Sequence, residues 1–368
     1  MCKRNVLCIY RVMDSKYSEV PRQRDLPGAL AMATVKNQKL PVSDPSKGEE
    51  SRSKGSAMTR KGAYAAISYM ASAVLLIMFN KAALSSYNFP RANVITLFQT
   101  LCSCSILYAM KCWKIISFSM DESQSITYNP ATLVPFKTLA QTLPLAISYL
   151  LYMLVSMESV RSISVPMYTT LRRTTVAFTM TMEYLLTGQK HSPSVVACVG
   201  IIILGAFVAG ARDLSFDVYA YAVVFMANIC TAIYLALIAR IGKSSGLNTF
   251  GLMWCNGIIC GPILLFLTSI RGDLEVALNF PHIFSPGFQV VMLLSCIMAF
   301  LINYYVFLNT TLNSALTQTI CGNLKDLITI GLGWLLFGGL PFDLLNVIGQ
   351  SLGFLGSCLY AYYKLKGE

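Results

Sequence analysis

The chain has 368 residues, 55% hydrophobic and 12% charged, with a formal net charge of +12. An average soluble domain is about 25% charged, so a chain this poor in charge lacks the polar surface that a water-soluble fold needs. Nor does the positive balance mark a nucleic-acid-binding face, because most basic residues lie in the first 61 positions and in short loops, a placement that orients a protein in a membrane.

Residues 1–61 are polar, with runs such as Ser43-Asp44-Pro45-Ser46-Lys47 and Ser51-Arg52-Ser53-Lys54-Gly55. Low hydrophobicity and mixed charge predict a disordered cytosolic tail. The apolar run Val6-Leu7-Cys8-Ile9-Tyr10 is too brief for a signal-peptide core, and Arg11 follows at once. The first long apolar segment is therefore expected to act as the insertion signal.

Ten apolar segments follow, at approximately 63–84, 92–110, 134–155, 163–186, 194–211, 218–239, 249–270, 287–308, 315–337 and 343–363. Each is near the roughly 20 residues that cross a bilayer as a helix. The expected fold is an all-α polytopic membrane protein of ten transmembrane helices embedded in the lipid bilayer. The loops leave no room for a soluble catalytic domain. With the N-terminus in the cytosol, the cytosolic side holds the tail, Lys111, Lys114, Lys190, Arg240, Lys243, Lys364 and Lys366; the other side holds Arg91, Arg161, Arg212 and Arg271. This asymmetry obeys the positive-inside rule, and an even number of spans returns the C-terminal residues 364–368 to the cytosol. The sequon Asn309-Thr310-Thr311 then falls at a cytosolic loop and is expected to carry no glycan.

Ten spans divide into two halves of five, 62–212 and 213–363. Because five is odd, the second half enters from the opposite face, the arithmetic of an inverted repeat. Gly200, Gly205 and Gly210 in the fifth segment have a spacing that suits close helix packing, either within the chain or in a homo-oligomer.

An ionisable group at a helix centre costs about 2.5–3.5 kcal/mol on insertion scales, which makes each one informative. Lys81 follows Asn80 near a segment end and is expected to snorkel; Lys137 is expected to be a flank anchor. Arg172 and Arg173 lie within segment four, with Tyr168 one turn before Arg172 on the same face. Lys325 lies within segment nine, with Thr317 and Cys321 stacked above it and Gly322 three residues back. In a pseudo-symmetric pair of halves, Arg172 and Lys325 face each other across the centre. Converging cations suit a pyrophosphate, which guanidinium grips bidentately and lysine meets as a point charge. The competing reading is internal ion pairing. Adjacent helical residues project about 100° apart, so Lys325 and Asp326 are expected to pair poorly. Glu183 is ten residues from Arg173, about 15 Å along a helix axis, and is expected to play a structural part.

Uncharged polar groups in the segments are candidates for reading a base or a sugar: Gln99, Thr100, Asn228, Asn256, Asn303, Tyr304, Tyr305, Gln318 and Asn323. Asn256 and Asn323 stand beside Gly257 and Gly322, which allow close approach to backbone. Each buried amide could equally bond a neighbouring helix. Catalysis has little support. Both histidines, His191 and His282, lie in loops, and the chain has no paired carboxylates, nucleophile elbow or glycine-rich phosphate loop. The twelve cysteines are scattered without zinc spacing. No cofactor and no metal are expected.

The stretch Val165-Pro166-Met167-Tyr168-Thr169-Thr170-Leu171-Arg172-Arg173 resembles the fourth-helix signature of the nucleotide-sugar transporters within the drug/metabolite transporter superfamily. Asn313-Ser314-Ala315-Leu316-Thr317, continuing to Gly322-Asn323-Leu324-Lys325, resembles their ninth-helix signature. The resemblance covers about 62–365. It implies two inverted five-helix halves, a Golgi location with cytosolic termini, and exchange of a nucleotide sugar for a nucleoside monophosphate. It also implies a phosphate contact for Lys325 and a base or ribose contact for Asn256, and Tyr168 and Arg172 match the family's helix-four aromatic and basic positions. With Arg173 among the cations, and Thr317, Gln318, Gly322, Asn323 and Tyr304 as polar residues read from the segments themselves, these make up the expected substrate site. GDP-mannose carriers of the family show Gly-Ala-Leu-Asn-Lys in helix nine and Phe-Tyr-Asn-Asn in helix seven. This chain has Cys321-Gly322-Asn323-Leu324-Lys325 and Met253-Trp254-Cys255-Asn256 there. The double arginine is closer to the UDP-sugar branch. Import of UDP-N-acetylglucosamine, or of UDP-N-acetylgalactosamine, in exchange for UMP is what the resemblance implies. A GDP-mannose carrier and a membrane enzyme handling lipid-linked sugars are the alternatives. Lys364 and Lys366 also resemble a coat-protein retrieval signal, which would cycle the chain through the endoplasmic reticulum.

Overall fold

The computed structural model describes residues 58–118, 134–163, 165–211, 217–337 and 344–367. The disorder expected for residues 1–57 and the side chain of Arg161 lie outside the described residues, as does Arg212. Among the described residues, every regular element is helical. In chain order they are α1 (Arg60–Lys81), α2 (Ala92–Cys112), α3 (Phe136–Ser162), α4 (Val165–Arg172), α5 (Thr175–Thr187), α6 (Pro193–Gly210), α7 (Val218–Ser244), α8 (Thr249–Ile270), α9 (Asp273–Leu278), α10 (Pro286–Leu312), α11 (Ala315–Phe337) and α12 (Leu344–Lys366).

Eight of these are long and apolar enough to cross a membrane. The expected segments four and nine are helical but fall outside that set. They hold Arg172 and Arg173, and Lys325 and Asp326, respectively. Segment four is divided into the two shorter helices α4 and α5.

Local chemistry sets several ends. The Thr59 hydroxyl caps α1, Ser192 caps α6 with Pro193 in its first turn, and Asn248 caps α8. Gly188 ends α5 at φ 69°, a left-handed conformation that glycine adopts freely. α1 widens into π geometry at Ala82–Ser86.

Packing runs across the chain and not within successive stretches. α6 lies along α12, α3 along α7, and α10 along α1. The α6–α12 contact is glycine-lined: a β-carbon added at Gly205 would fall 2.7 Å from the Gly349 carbonyl oxygen and from the Gly353 amide. The small-residue spacing in α6 therefore serves packing within the chain at Gly205, whereas Gly200 has nothing within 4 Å of its added β-carbon.

The start of α1 and the end of α12 meet, where the Met58 amide donates to the Lys364 carbonyl at 3.0 Å. The expected coat-protein signal at Lys364 and Lys366 thus lies within a helical turn. At this end Asn313 Nδ2 donates to the Gly62 carbonyl at 3.0 Å, and the Thr317 and Tyr360 hydroxyls lie 2.7 Å apart. The opposite end is held by Arg91 and Asp273 at 3.1 Å and by a cluster of Phe89, Phe280 and Phe288. Asn309 is fully buried in the last turn of α10, bonded to Gln318 and Asn313, and does not lie in a loop as expected. That buried amide joins α10 to α11 through Gln318.

Candidate functional site

A cavity of about 690 Å³ lies between α1, α2, α3, α4, α5, α7, α10 and α11. Its lining reaches Ala92 and Asn93 at the start of α2, so it runs from mid-bundle toward the end away from the chain termini.

The break between α4 and α5 positions the first cation. Around it the sequence reads Thr169-Thr170-Leu171-Arg172-Arg173-Thr174-Thr175. The Thr174 hydroxyl donates to the Leu171 carbonyl at 2.7 Å, and the Thr175 hydroxyl lies within reach of the Arg172 carbonyl. Such side-chain bonds compete with the helical ladder. The amides of Arg173 and Thr174 turn to the carbonyls three residues back, at 3.2 and 3.1 Å, a tightened turn. The Leu171 carbonyl, which accepts both Thr174 bonds, is also met by Asn228 of α7, which is fully buried and donates to it at 3.0 Å. Asn228 is therefore a structural brace and lies off the cavity.

Arg172 leaves this break pointing into the cavity. Its Nη1 donates to the Thr231 hydroxyl at 2.8 Å, and its guanidinium carbon sits 5.9 Å from the Tyr152 ring centroid and 5.8 Å from that of Tyr168. Contact with two aromatic faces holds a cation electrostatically. Lys325 of α11 lines the same cavity, and its Nζ donates to Asp326 Oδ1. The expectation that these neighbours pair poorly is thus overturned. The lysine stem is long enough to swing across the helical offset, and both heads point into one cavity.

Tyr168, Gln318, Gly322 and Asn323 also line the cavity. Gln318 Oε1 accepts from Asn309 Nδ2, and Asn323 Nδ2 reaches the Arg173 carbonyl at 3.5 Å. Four expected site residues do not line it. Arg173 is 3% exposed and faces α12, its Nη1 3.0 Å from where a Gly353 β-carbon would sit. One residue's rotation beyond Arg172 carries it to the outer side of the break. Neither of its terminal nitrogens has a hydrogen-bond partner among the described residues. Asn256 is turned into helix packing, where its Oδ1 meets the Cys260 thiol at 3.7 Å. Thr317 is spent on Ser314 and Tyr360 at the closed end. Tyr304 stacks on Phe250 with centroids 4.8 Å apart, and its neighbour Asn303 takes the cavity face.

Sequence reasoning missed the tyrosines. Tyr69, Tyr149, Tyr152 and Tyr234 line the cavity, with Tyr152 and Tyr234 stacked at 5.7 Å and 5°. Aromatic residues at helical spacing carry the same signal as core packing. It also missed Thr231, which orients Arg172, and Asp326 as a lining group.

Chemically, the arrangement is a mainly apolar, aromatic-walled cavity with two cationic heads and one carboxylate. A phosphorylated guest would find cationic heads with ring faces beside Arg172.

The chain matches the Triose-phosphate Transporter family over residues 59–361. It is 67% identical over 342 residues to a UDP-N-acetylglucosamine transporter of Arabidopsis thaliana, covering 90% of this chain and 99% of that protein. It is 32% identical to a UDP-sugar transporter of Drosophila melanogaster, covering 83% and 79% of the two chains. A crystal structure at 12% identity aligns with a TM-score of 0.54, covering 81% of this chain and 96% of its own, which shows a shared fold.

Proposed function

This chain belongs to the Triose-phosphate Transporter family, and we propose that it is an antiporter bringing UDP-N-acetylglucosamine from the cytosol into the Golgi lumen in exchange for UMP. It is a carrier and not an enzyme. UDP-N-acetylgalactosamine, which differs by one hydroxyl orientation, is the second candidate cargo. The observation that carries the reading is that Arg172 and Lys325, from helices far apart in sequence, present their heads to one cavity inside an all-helical, apolar bundle. Charge so placed is expensive unless something anionic uses it. The substrate named for the Arabidopsis relative, at 67% identity, supports the choice of sugar.

Under this reading the phosphates lie between Arg172 and Lys325, with the uracil and sugar against the tyrosine faces and the amides of Gln318 and Asn323. Two inverted five-helix halves, 62–212 and 213–363, would rock about that site. The packing supports such halves: α3 on α7 has its counterpart in α10 on α1, and α6 and α12, fifth in each half, lie against each other. With both termini cytosolic, the cytosolic end is the closed one, and the cavity faces the lumen.

Uptake of a panel of nucleotide sugars into proteoliposomes tests the proposal. UDP-N-acetylglucosamine should enter UMP-loaded vesicles faster than empty ones, and external UMP should compete better than GMP. Equal uptake into loaded and empty vesicles would remove exchange. Stronger competition by GMP would point to a GDP-sugar cargo.

A further inference from the structure

An anion site that carries a carboxylate of its own requires an account. Asp326 lines the cavity, its side chain 35% exposed, and its Oδ1 accepts from the Lys325 ammonium. It also lies within electrostatic reach of the buried Arg173 guanidinium. The local formal charge is thus three positive groups, Arg172, Arg173 and Lys325, against one negative.

We propose that Asp326 is an internal stand-in for the substrate phosphate: it holds Lys325 while the cavity is empty, and the incoming phosphate displaces it from the ammonium. This rests on the transport reading above and adds a positioning residue to it. The physical consequence is a trade between affinity and release. A phosphate must compete with Asp326 for Lys325, which weakens binding. The same carboxylate returns to Lys325 as the phosphate departs, which speeds dissociation. It also spares the empty carrier an unpaired ammonium in a low-dielectric interior, where charge is least tolerated.

The test uses the full chain, purified and reconstituted, with UMP as the binding probe. Asp326→Asn should lower the Kd for UMP by roughly tenfold. It should also lower both KM and maximal rate for UDP-N-acetylglucosamine uptake into UMP-loaded vesicles. Asp326→Glu keeps a carboxylate and should remain near wild type. Should Asp326→Asn fail to accumulate, Asp326→Ser serves the same comparison. A merely structural role would weaken binding and rate together, so tighter binding with slower exchange is the diagnostic outcome. Unchanged or weaker UMP binding by the neutral variants, with wild type binding UMP, overturns the stand-in role alone. Wild type that binds no UMP overturns the transport reading and the stand-in role with it.

Discussion

Glu183, near the end of α5, caps the first turn of α11: its Oε1 accepts the Ala315 amide at 3.0 Å, and its Oε2 accepts the Leu316 amide at 3.2 Å. The carboxylate is 1% exposed and sits at the end of the bundle away from the cavity mouth. The first amides of a helix have no intrahelical partner, and a carboxylate there also meets the positive end of the helix dipole. One side chain thereby ties the helix carrying Arg173's neighbours to the helix carrying Lys325.

Glu183→Ala should therefore strip two buried amides of their acceptor, at about 1–3 kcal/mol for each. The expected result is a clear fall in melting temperature of the detergent-purified protein. Glu183→Gln retains one acceptor oxygen and should lose about half as much. Equal melting of all three proteins would show that the contact holds nothing.

His191, in the loop after α5, stands 3.7 Å from Glu183 Oε2, too far for a hydrogen bond, and its Nε2 has no partner among the described residues. Burial, and secondarily the Lys364 ammonium, hold its pKa below the ordinary 6.5. The unfolded chain then takes up a proton that the folded chain refuses as pH falls through 6.5. Stability from this group is intact above that pH and declines below it, down to the folded-state pKa. Melting curves between about pH 7.5 and 5.5 should show the loss, and His191→Gln should flatten it. The same pH dependence in the variant would acquit His191.

Arg172→Lys keeps the charge but loses the planar group that sits against Tyr152 and Tyr168 and donates to Thr231. Uptake in UMP-loaded vesicles should fall roughly tenfold or more, because the two cations are not interchangeable at stacked sites. Lys325→Ala should abolish uptake while leaving membrane insertion intact. Wild-type uptake by either variant would remove that residue from the site.

Gly349→Leu should destabilise the α6–α12 contact. Even its β-carbon would lie 2.4 Å from the Ala209 amide and 2.5 Å from the Gly205 carbonyl oxygen. Overpacking of this kind costs about 1–3 kcal/mol or more, visible as reduced melting temperature and yield. Gly200→Ala, with open space around the added carbon, is the control expected to behave as wild type.

The sequence alone determined that the chain is helical and membrane-embedded, because apolar runs of crossing length leave backbone groups only one way to pair with one another. It also marked Arg172 and Lys325, since charge inside such runs stands out against everything around it. What it could not supply was direction. Arg172 and Arg173 are adjacent and chemically identical, yet one faces the cavity and the other faces α12. The choice is made at the break between α4 and α5, which Asn228 braces from a helix more than 50 residues away. Tyr304 and Asn303 divide in the same manner, one into the packing and one into the cavity. Lys325 and Asp326, judged by helical angle alone, should point apart, but the lysine stem bends to the acid because both heads share one cavity. Composition and periodicity decide which residues are buried; only the packing of distant helices decides which buried residues look inward at one another.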